Sequence, residues 1–544
     1  MSILKITAIR LILLVSLFIT ILDNQVLFTK LTERLDIFSF QGGFYLLSIY
    51  LIVFTLLVLI QFIFGFPYFL KIVMALLLIT SAILSYFGQE LGVIFDVDMV
   101  RNIVENIKDG NQHEAFELLS APLLKYVFLF GILPAIAVAL TKITYKPVFK
   151  EIGWRIVSMI LLLVMIASLL LANFKFTTYF SRENRDLRVY ITPLYAIDSI
   201  KGFVRRELDK NKAPLKIIGT DARQISQGIN RRIGIMVVGE TARWDHFSLN
   251  GYARETNPKL KKLDIINYTK TSSCGTSTAY SVPCMFSFLN ADDYSPSKAA
   301  TQTNVLDVLK KAGVEVFWID NNSSCKGVCD RIGEINIRNT PNPDSAFYTN
   351  GELFDEELIS QVDKILANNI ANTTGNSDIL IVLHTLGSHG PKYYKRYPDK
   401  FSLFKPACKK STPQECSDKQ IINTYDNTIL YTDHVLSQLI DYLKSKQDDK
   451  DSFLIYASDH GESLGENGVY LHGLPNFLAP EAQTHVPMLS WFSKNYIKNE
   501  KLDIASMKAL QNKDVSHDYL SHTLLNAFDV KTMIYKPDYN LIKK

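Results

Sequence analysis

Acidic and imidazole side chains follow several apolar, strand-like segments in the C-terminal part of this sequence. Glu240 follows the first of these segments, His389 comes soon after the third, and Asp459 and His460 come directly after the fourth, with His472 a little further on. Parallel strands end at one edge of a sheet, so these groups are expected to converge there. Carboxylate oxygens and imidazole nitrogens are suitable zinc ligands. Each element alone would be an ordinary hydrogen-bonded loop, but together they predict a metal centre.

A short segment between residues 273 and 284 is rich in hydroxyl groups and bounded by cysteines. A threonine or serine hydroxyl is a poor nucleophile unless a base or a metal ion lowers its pKa, and the predicted metal centre would supply that activation. Pro283 and the apolar residues after it indicate a helix beginning nearby, whose N-terminus would offer amide donors to a phosphoryl oxygen. The residue types alone leave the nucleophile open, and they also fit an unreactive, capped helix start. The candidates are Thr276, Ser277, Thr278 and Ser281.

The elements that must position these groups alternate between strand-like and helical patterns. The helical patterns are Val305–Ala312, stopped by Gly313, and the longer Asn423–Lys446. Such alternation predicts an α/β domain with a mostly parallel sheet covered on both faces. The strand-like runs are Ile233–Val238, Val314–Ile319, Asp378–Leu383, Phe453–Ala457 and Val486–Trp491.

All six cysteines lie in this C-terminal part, where they fall into three pairs with short separations. In a compartment that permits oxidation, this pattern predicts three small disulfides. Free buried thiols or a zinc knuckle are the alternatives, but the middle pair has no second pair of metal ligands nearby. The pairs are Cys274 with Cys284, Cys325 with Cys329, and Cys408 with Cys416.

The charge of the 544-residue chain is nearly balanced, since 58 basic and 54 acidic residues leave a net charge of +4. No basic block stands out as the electrostatic footprint of nucleic-acid binding, so we exclude a nucleic-acid partner. The apolar residues crowd into the first third of the chain. There, five stretches are long enough to cross a lipid bilayer, which takes a helix of about 20 residues. They are Leu11–Phe28, Phe44–Phe64, Phe69–Phe87, Leu123–Ala139 and Ile156–Ala172.

Basic residues orient these predicted spans. Lys5 and Arg10 precede the first span, and no small-residue cleavage site follows it, so we expect a retained anchor. The loop between spans three and four is acidic, whereas the loop between spans four and five is basic. Positive-inside placement then puts the N-terminus in the cytoplasm and everything after Ala172 outside, where disulfides form. The basic loop carries Lys142, Lys146, Lys150 and Arg155.

We divide the chain into three parts on these patterns. Residues 1–173 are expected to form a membrane domain with an external loop at residues 88–122. Within that loop, Met99–Leu119 indicates either a short amphipathic helix at the membrane surface or a solvated loop. Residues 174–231 are expected to form a bridging linker with a helix or two, and residues 232–544 the catalytic domain.

With these motifs, the chain resembles the phosphoethanolamine transferase family, which includes lipid A modifiers and the mobile colistin-resistance enzymes. The resemblance covers nearly the whole chain, from the five-span anchor to Leu471-His472-Gly. The Ser-Cys-Gly-Thr-Ser-Thr loop and the Asp459-His460-Gly-Glu-Ser element are together highly specific. They favour this branch of the alkaline-phosphatase-like superfamily over sulfatases, which need a Cys-x-Pro-x-Arg element that this sequence lacks.

The resemblance implies a role for individual residues. Thr278 would be the attacking residue, and it would bind the principal zinc ion together with Glu240, Asp459 and His460. His389 and His472 would face the substrate or a second zinc ion. The loop between spans three and four departs from the family pattern, because an asparagine replaces the expected threonine and extra residues delay the glutamate that follows. The residues implied to contact the substrate are Asn102, Asn106, Glu114, Ser323 and Lys326.

The resemblance also implies a two-step reaction. Phosphoethanolamine would pass from phosphatidylethanolamine to the threonine, and then to an outer-surface acceptor, with lipid A as the first choice. The protein would be a monomer in the inner membrane of a Gram-negative bacterium, with its catalytic domain in the periplasm, and would confer polymyxin resistance. The alternatives are an acceptor on core sugars, a glycan or a protein, a glycerophosphate transferase or phosphodiesterase, and a catalytically silent lipid-binding or metal-sensing protein.

Overall fold

In the computed structural model, the chain divides into two compact units. The helical unit comprises Met1–Val97 and Leu119–Lys201, and the sheet unit comprises Asp98–Leu118 and Gly202–Lys544. The structure describes residues 5–67, 69–108, 119–172, 174–210, 214–225, 230–338, 341–349, 351–372, 377–445 and 450–544.

Four helices in the described part of the helical unit are long and apolar enough to cross a membrane. They confirm the second to fifth predicted spans, with somewhat different ends. Large apolar side chains on them are exposed, such as Leu161 at 63% and Leu171 at 68%, which suits contact with lipid tails. The four spans are Phe40–Phe64, Leu70–Leu91, Ala121–Leu140 and Val148–Ala172.

The first predicted span, Leu11–Phe28, is not one straight helix. It is a pair of helices, Ala8–Leu22 and Gln25–Arg34, that meet at a bend of 55°. At the break, the side-chain amide of Asn24 donates 3.1 Å to a carbonyl of the preceding turn and exchanges two bonds of 2.9 Å with the Thr192 backbone. These side-chain bonds to the backbone compete with continuation of the helix. Counted as one span, the bent pair makes five.

Shorter elements complete the helical unit and the predicted bridging segment. Strands Lys5–Thr7 and Lys142–Thr144 pair in parallel. The bridging segment contains two α-helices, in line with the one or two helices predicted for it, and a short 3-10 helix between them. They are Phe174–Glu183, the 3-10 helix Arg185–Tyr190 and Leu194–Lys210.

An eight-stranded sheet lies at the centre of the sheet unit. In chain order its strands are β1 (Arg231–Gly239), β2 (Ile265–Ser272), β3 (Glu315–Asp320), β4 (Glu334–Asn336), β5 (Ile379–His384), β6 (Lys450–Ser458), β7 (His485–Phe492) and β8 (Val515–Ser516). Across the sheet the order is β8-β2-β7-β6-β1-β5-β3-β4. The two neighbour pairs that involve β7 are antiparallel and the other pairs are parallel, so the predicted mostly parallel sheet is confirmed.

All five predicted strands are present within one to three residues of their predicted ends. Strand β2 was not predicted, because Asn267, Thr269 and Lys270 interrupt its apolar pattern. Three ribbons, each made of two two-residue strands, lie outside the main sheet in the described part of the sheet unit. These pair Arg223–Gln224 with Val530–Lys531, Tyr348–Thr349 with Glu352–Leu353, and Ser463–Leu464 with Tyr470–Leu471.

Helices cover both faces of this sheet. Met236 of β1 belongs to one buried apolar cluster and the next residue, Val237, to the other, as the alternation of side chains along a strand requires. Asp518–Ala527 packs into the first cluster and Asp418–Ser445 into the second. The other helices of the unit are Val97–Lys108, Thr278–Met285, Pro296–Ala300, Val305–Ala312, Glu357–Asn372, Glu481–Thr484, Lys494–Asn499 and Ile504–Lys508.

The three predicted disulfides are confirmed, since Cys274 is bonded to Cys284, Cys325 to Cys329, and Cys408 to Cys416. Each closes a short loop of the sheet unit. The first closes the hydroxyl-rich loop, and the second closes the loop that follows β3.

Phe453 on β6 is a central packing residue of the sheet, since it is fully buried and its ring lies over Gly234 on β1. We expect Phe453→Ala to lower the free energy of unfolding by about 3–5 kcal/mol, because the ring leaves a cavity that the rigid sheet cannot fill. Phe477→Ala is the matched control, since that ring is 61% exposed. Thermal unfolding of both variants tests this, and equal melting temperatures would contradict the packing role.

Candidate active site

The ends of β1 and β6 bring acidic and imidazole groups together. These strands pair in parallel with Ser458 opposite Gly239, so Glu240 and Asp459 leave the sheet side by side. The backbone amide of Asp459 donates 2.9 Å to the Gly239 carbonyl, which continues the pairing one step further. Glu240, Asp459 and His460 are all at most 1% exposed. The predicted convergence at one sheet edge is present.

Thr278 faces this group from the N-terminus of a helix. It is the first residue of helix Thr278–Met285, where backbone amides have no partner within the helix. Its Oγ1 donates to Glu240, at 3.1 Å from Oε2 and 3.4 Å from Oε1, and lies 3.3 Å from His460 Nε2. Of the hydroxyls that the sequence left open, Thr276 instead donates to a carbonyl, that of Leu474. Thr278 is therefore the hydroxyl placed against the acidic group.

His460 is held as a neutral imidazole with Nε2 turned to Thr278. Its Nδ1–H donates 2.9 Å to the Gly461 carbonyl, which leaves Nε2 with a lone pair. Burial lowers the pKa of His460 well below its ordinary value, so the ring carries no proton on Nε2 at neutral pH. A neutral imidazole nitrogen of this kind is the form that binds metal ions.

Asp459 offers one carboxylate oxygen to the same point. Its Oδ1 accepts from the backbone amides of Thr241 at 3.2 Å and His460 at 2.7 Å. Within the described part of the chain, Oδ2 accepts no hydrogen bond although it is buried. Burial raises the pKa of Asp459 to about 6. A buried carboxylate oxygen without a donor is what a cation site requires.

The spacing of these groups fits a tetrahedral zinc ion. Ligands about 2.0–2.1 Å from such an ion lie about 3.4 Å from one another. His460 Nε2 lies 3.5 Å from Glu240 Oε1, 3.3 Å from Asp459 Oδ2 and 3.3 Å from Thr278 Oγ1. One possible ligand atom from each of Glu240, Asp459 and His460 can be chosen so that all three atoms lie within 4.8 Å of one another. These residues could therefore hold a metal ion beside the Thr278 hydroxyl.

Two more histidines lie next to this group. The His472 ring centroid is 4.4 Å from that of His460 and 5.5 Å from that of His389. Glu462 holds His472 in place, because its Oε2 accepts from His472 Nδ1 at 2.8 Å while its Oε1 accepts from the Tyr393 hydroxyl at 2.7 Å. Glu462 is thus occupied on both oxygens and is not placed as a metal ligand.

The chain was compared with known proteins. The family model described as "Phosphoethanolamine transferase EptA/EptB" matches residues 51–208, and the one described as "Sulfatase" matches residues 232–530. Phosphoethanolamine transferase EptA of Escherichia coli is 36% identical over 534 residues, which cover 96% of this chain and 94% of that protein. The chain belongs to the phosphoethanolamine transferase family.

Other relatives agree with this placement in the family. Phosphatidylethanolamine transferase Mcr-1 of Escherichia coli is 37% identical over 531 residues, covering 95% of this chain and 94% of that protein. The structure of the integral membrane protein lipooligosaccharide phosphoethanolamine transferase A from Neisseria meningitidis superposes with a TM-score of 0.92 at 31% identity, covering 99% of both chains. This family member is accordingly an integral membrane protein with several apolar helices and a C-terminal α/β domain.

Ser323 and Lys326 are two of the residues expected to contact the substrate of this phosphoethanolamine transferase. Ser323 is buried and directly follows Asn322 in the chain. The side-chain amide of Asn322 donates a hydrogen bond of 2.8 Å to Glu240. Lys326 lines a pocket together with Arg101 and Glu105.

The segment from the loop between spans three and four is only partly described. Asn102 lies in helix Val97–Lys108 and is half-buried, and Asn106 lies in the same helix, whereas Glu114 lies outside the described residues. The helix lies against the loop that carries His472, because a Cβ added to Gly473 would be 3.1 Å from Met99 Cε. The start of Met99–Leu119 is thus helical, as one of the two alternatives held, and its position at a membrane surface stays a prediction.

Several residues of this site were missed in the sequence. Asn322 supports Glu240, and Glu462 with Tyr393 supports His472. The signal for Asn322 was present, since it follows β3 by two residues at the same sheet edge. Glu462 stands in the Asp-His-Gly-Glu-Ser element but acts on another side chain, which spacing alone does not reveal.

Removing a metal ligand should release the metal without unfolding the sheet unit. We expect the wild type to retain zinc after dialysis and Asp459→Asn and Glu240→Gln to lose it, because each variant removes a carboxylate from the group of three that could hold the ion. Glu462→Gln is the control from the same motif and should keep zinc, since both of its oxygens already serve Tyr393 and His472. Metal analysis of the purified proteins measures this, and equal zinc loss in all three variants would contradict the assignment.

Proposed function

We propose that this chain transfers phosphoethanolamine from phosphatidylethanolamine to a phosphate of lipid A through a covalent intermediate on Thr278. The observation that carries the proposal is the position of Thr278 Oγ1, at a helix N-terminus and within 3.1–3.4 Å of Glu240 and His460. A hydroxyl among a carboxylate, a neutral imidazole and the backbone amides of a helix N-terminus is suited to attack a phosphodiester.

We infer that zinc is the cofactor, held by Glu240, Asp459, His460 and Thr278. The donor set of two carboxylates, one imidazole and one hydroxyl suits zinc, and the ligand spacing described above supports it. When bound, zinc would act as a Lewis acid that favours the alkoxide form of the threonine and neutralises charge on phosphoryl oxygens.

The first half of the reaction uses the residues around Thr278. Its Oγ1 attacks the phosphorus of the donor, a bond forms between them, and the bond from phosphorus to the diacylglycerol oxygen breaks. Glu240, which accepts the hydrogen bond of Thr278, is placed to accept its proton. The backbone amides at the start of helix Thr278–Met285 are placed to stabilise charge on a phosphoryl oxygen. The leaving diacylglycerol oxygen takes up a proton.

The second half reverses this sequence on another lipid. A phosphate oxygen of the acceptor attacks the phosphorus of phosphoethanolamine-threonine, the bond to Thr278 Oγ1 breaks, and Oγ1 takes up a proton that restores the hydroxyl. Glu462 accepts a hydrogen bond from Nδ1 of His472 and so orients its ring, and we propose that His472 and His389 face the substrate or a second zinc ion. Ser323 and Lys326 would contact phosphate, and Asn102, Asn106 and Glu114 the ethanolamine.

The membrane helices suit a reaction in which donor and acceptor are both lipids of one leaflet. We infer a monomer in the inner membrane of a Gram-negative bacterium, with the sheet unit in the periplasm. The basic loop between the last two spans and the three disulfides both support this placement. An added ethanolamine ammonium would weaken attraction of lipid A for cationic peptides, which would confer polymyxin resistance.

Turnover of a lipid labelled on its acyl chains tests donor and nucleophile together. We expect the wild type to release diacylglycerol from phosphatidylethanolamine but not from phosphatidylglycerol. The turnover rate of Thr278→Ala should be about 10³-fold or more below that of the wild type, because its nucleophile is gone. Ser277→Ala is the neighbouring hydroxyl control and should keep most activity. Undiminished turnover in Thr278→Ala would refute the proposed nucleophile, and preference for phosphatidylglycerol would indicate a glycerophosphate transferase.

A further inference from the structure

One buried histidine, His517, lies between the two chain segments that form the candidate active site. It follows β8 and precedes helix Asp518–Ala527. Its Nδ1 accepts from the backbone amide of Cys274 at 3.1 Å, and its Nε2 lies 2.9 Å from the carbonyl oxygen of Ser458. A single imidazole therefore bridges the loop that leads to Thr278 and the end of β6.

These two bonds fix the protonation state of the ring. The Cys274 amide can only donate and the Ser458 carbonyl can only accept, so Nδ1 must carry a lone pair and Nε2 a hydrogen. His517 is 1% exposed, and burial lowers its pKa to about 4, which agrees with a neutral ring. Both ring nitrogens are thus committed to backbone groups, and neither is left to bind a ligand.

The two bridged backbone groups lie close in sequence to the reacting groups. Cys274 precedes Thr278 by four residues in the disulfide-closed loop, and Ser458 directly precedes Asp459 and His460. The backbone amide of His517 also donates 3.2 Å to the carbonyl of Ser272, at the end of β2. A shift of this ring would therefore change the distance between the nucleophile and the strand that carries its partners.

We propose that His517 is a positioning residue that sets the distance between Thr278 and the Asp459-His460 pair. This inference rests on the proposed function, since it assigns a role in forming the covalent intermediate on Thr278. Reaction rates respond strongly to displacements of about 1 Å between reacting groups, so loss of the bridge should lower kcat more than it changes KM for the donor.

A histidine on the helix that follows His517 provides a matched control. His522 is also 1% exposed, burial lowers its pKa to about 4 as well, and its Nδ1 also accepts a backbone amide, that of Lys536 at 3.2 Å. Its ring packs against Phe288, Tyr535 and Tyr539, away from the nucleophile loop. Replacing either histidine removes a buried ring and leaves a backbone amide without its acceptor, a buried amide at Cys274 and a partly buried one at Lys536, but only His517 bridges the site.

The test compares full-length His517→Leu, His517→Gln and His522→Leu in detergent. Leucine fills space without polar atoms, whereas the glutamine amide offers one acceptor oxygen and one donor nitrogen, as the neutral imidazole does. The substrate is acyl-labelled phosphatidylethanolamine. The readouts are kcat and KM for diacylglycerol release, the single-turnover rate of phosphoethanolamine-threonine formation by mass spectrometry, and the melting temperature.

We expect His517→Leu to form the intermediate about tenfold or more slowly than the wild type, with KM changed by no more than about twofold. His517→Gln should stay within about threefold of the wild type, because it restores both bonds. The melting temperature of His522→Leu should fall by about as much as that of His517→Leu, while its kcat should stay equal to that of the wild type. If His517→Leu does not accumulate as folded protein, His517→Asn replaces it, since that shorter amide cannot reach both partners and should show the same loss.

Equal rates of intermediate formation in the His517 and His522 leucine variants would overturn the positioning role. So would a His517→Gln variant as slow as His517→Leu, because the bridge would then not be the feature that matters. If the wild type itself forms no phosphoethanolamine-threonine, the proposed function fails and the inference fails with it. A wild type that forms the intermediate, beside His517 variants that do so equally fast, overturns the inference alone.

Discussion

The parallel pairing of β1 with β6 is the constraint on which the candidate site depends. Because Gly239 and Ser458 are partners in this register, the chain leaves both strands at the same height, with Glu240 beside Asp459 and His460. A shift of one residue in either strand would turn these side chains to the opposite face. The packing of Phe453 over Gly234 lies in the same pair of strands and helps to hold this register. Packing and chemistry therefore depend on one backbone alignment.

This alignment concentrates negative charge where water is excluded. The negative charge of Glu240 is partly offset by hydrogen bonds that Thr278 and Asn322 donate to it. One oxygen of Asp459 likewise accepts hydrogen bonds from two backbone amides. The other oxygen of Asp459 has no donor among the described residues, and the neighbouring imidazole is neutral. Buried carboxylates in this state are unfavourable unless a cation compensates them, and a divalent ion would do so while activating the adjacent hydroxyl. The buried carboxylates that oppose folding in the absence of a metal ion would thus favour catalysis when a metal ion is bound.

Much of this arrangement could be predicted from the sequence, because strand ends and short motifs are local. Glu240, Asp459 and His460 each follow an apolar run, and the close cysteine pairs indicate their own disulfides. The remaining features depend on contacts between distant segments. His517 contacts residues far earlier in the chain, and its surrounding sequence has no pattern that points to them. The bend at Asn24 likewise depends on the Thr192 backbone, which an apolar run cannot indicate.

Mass spectrometry of lipid A from a Gram-negative host that expresses the chain measures whether Thr278 carries phosphoethanolamine to lipid A. We expect a mass gain of one phosphoethanolamine group with the intact protein and no gain with the Thr278→Ala variant at equal membrane levels. A gain with both proteins would contradict the role of Thr278. No gain with the intact protein present in the membrane would contradict lipid A as the acceptor.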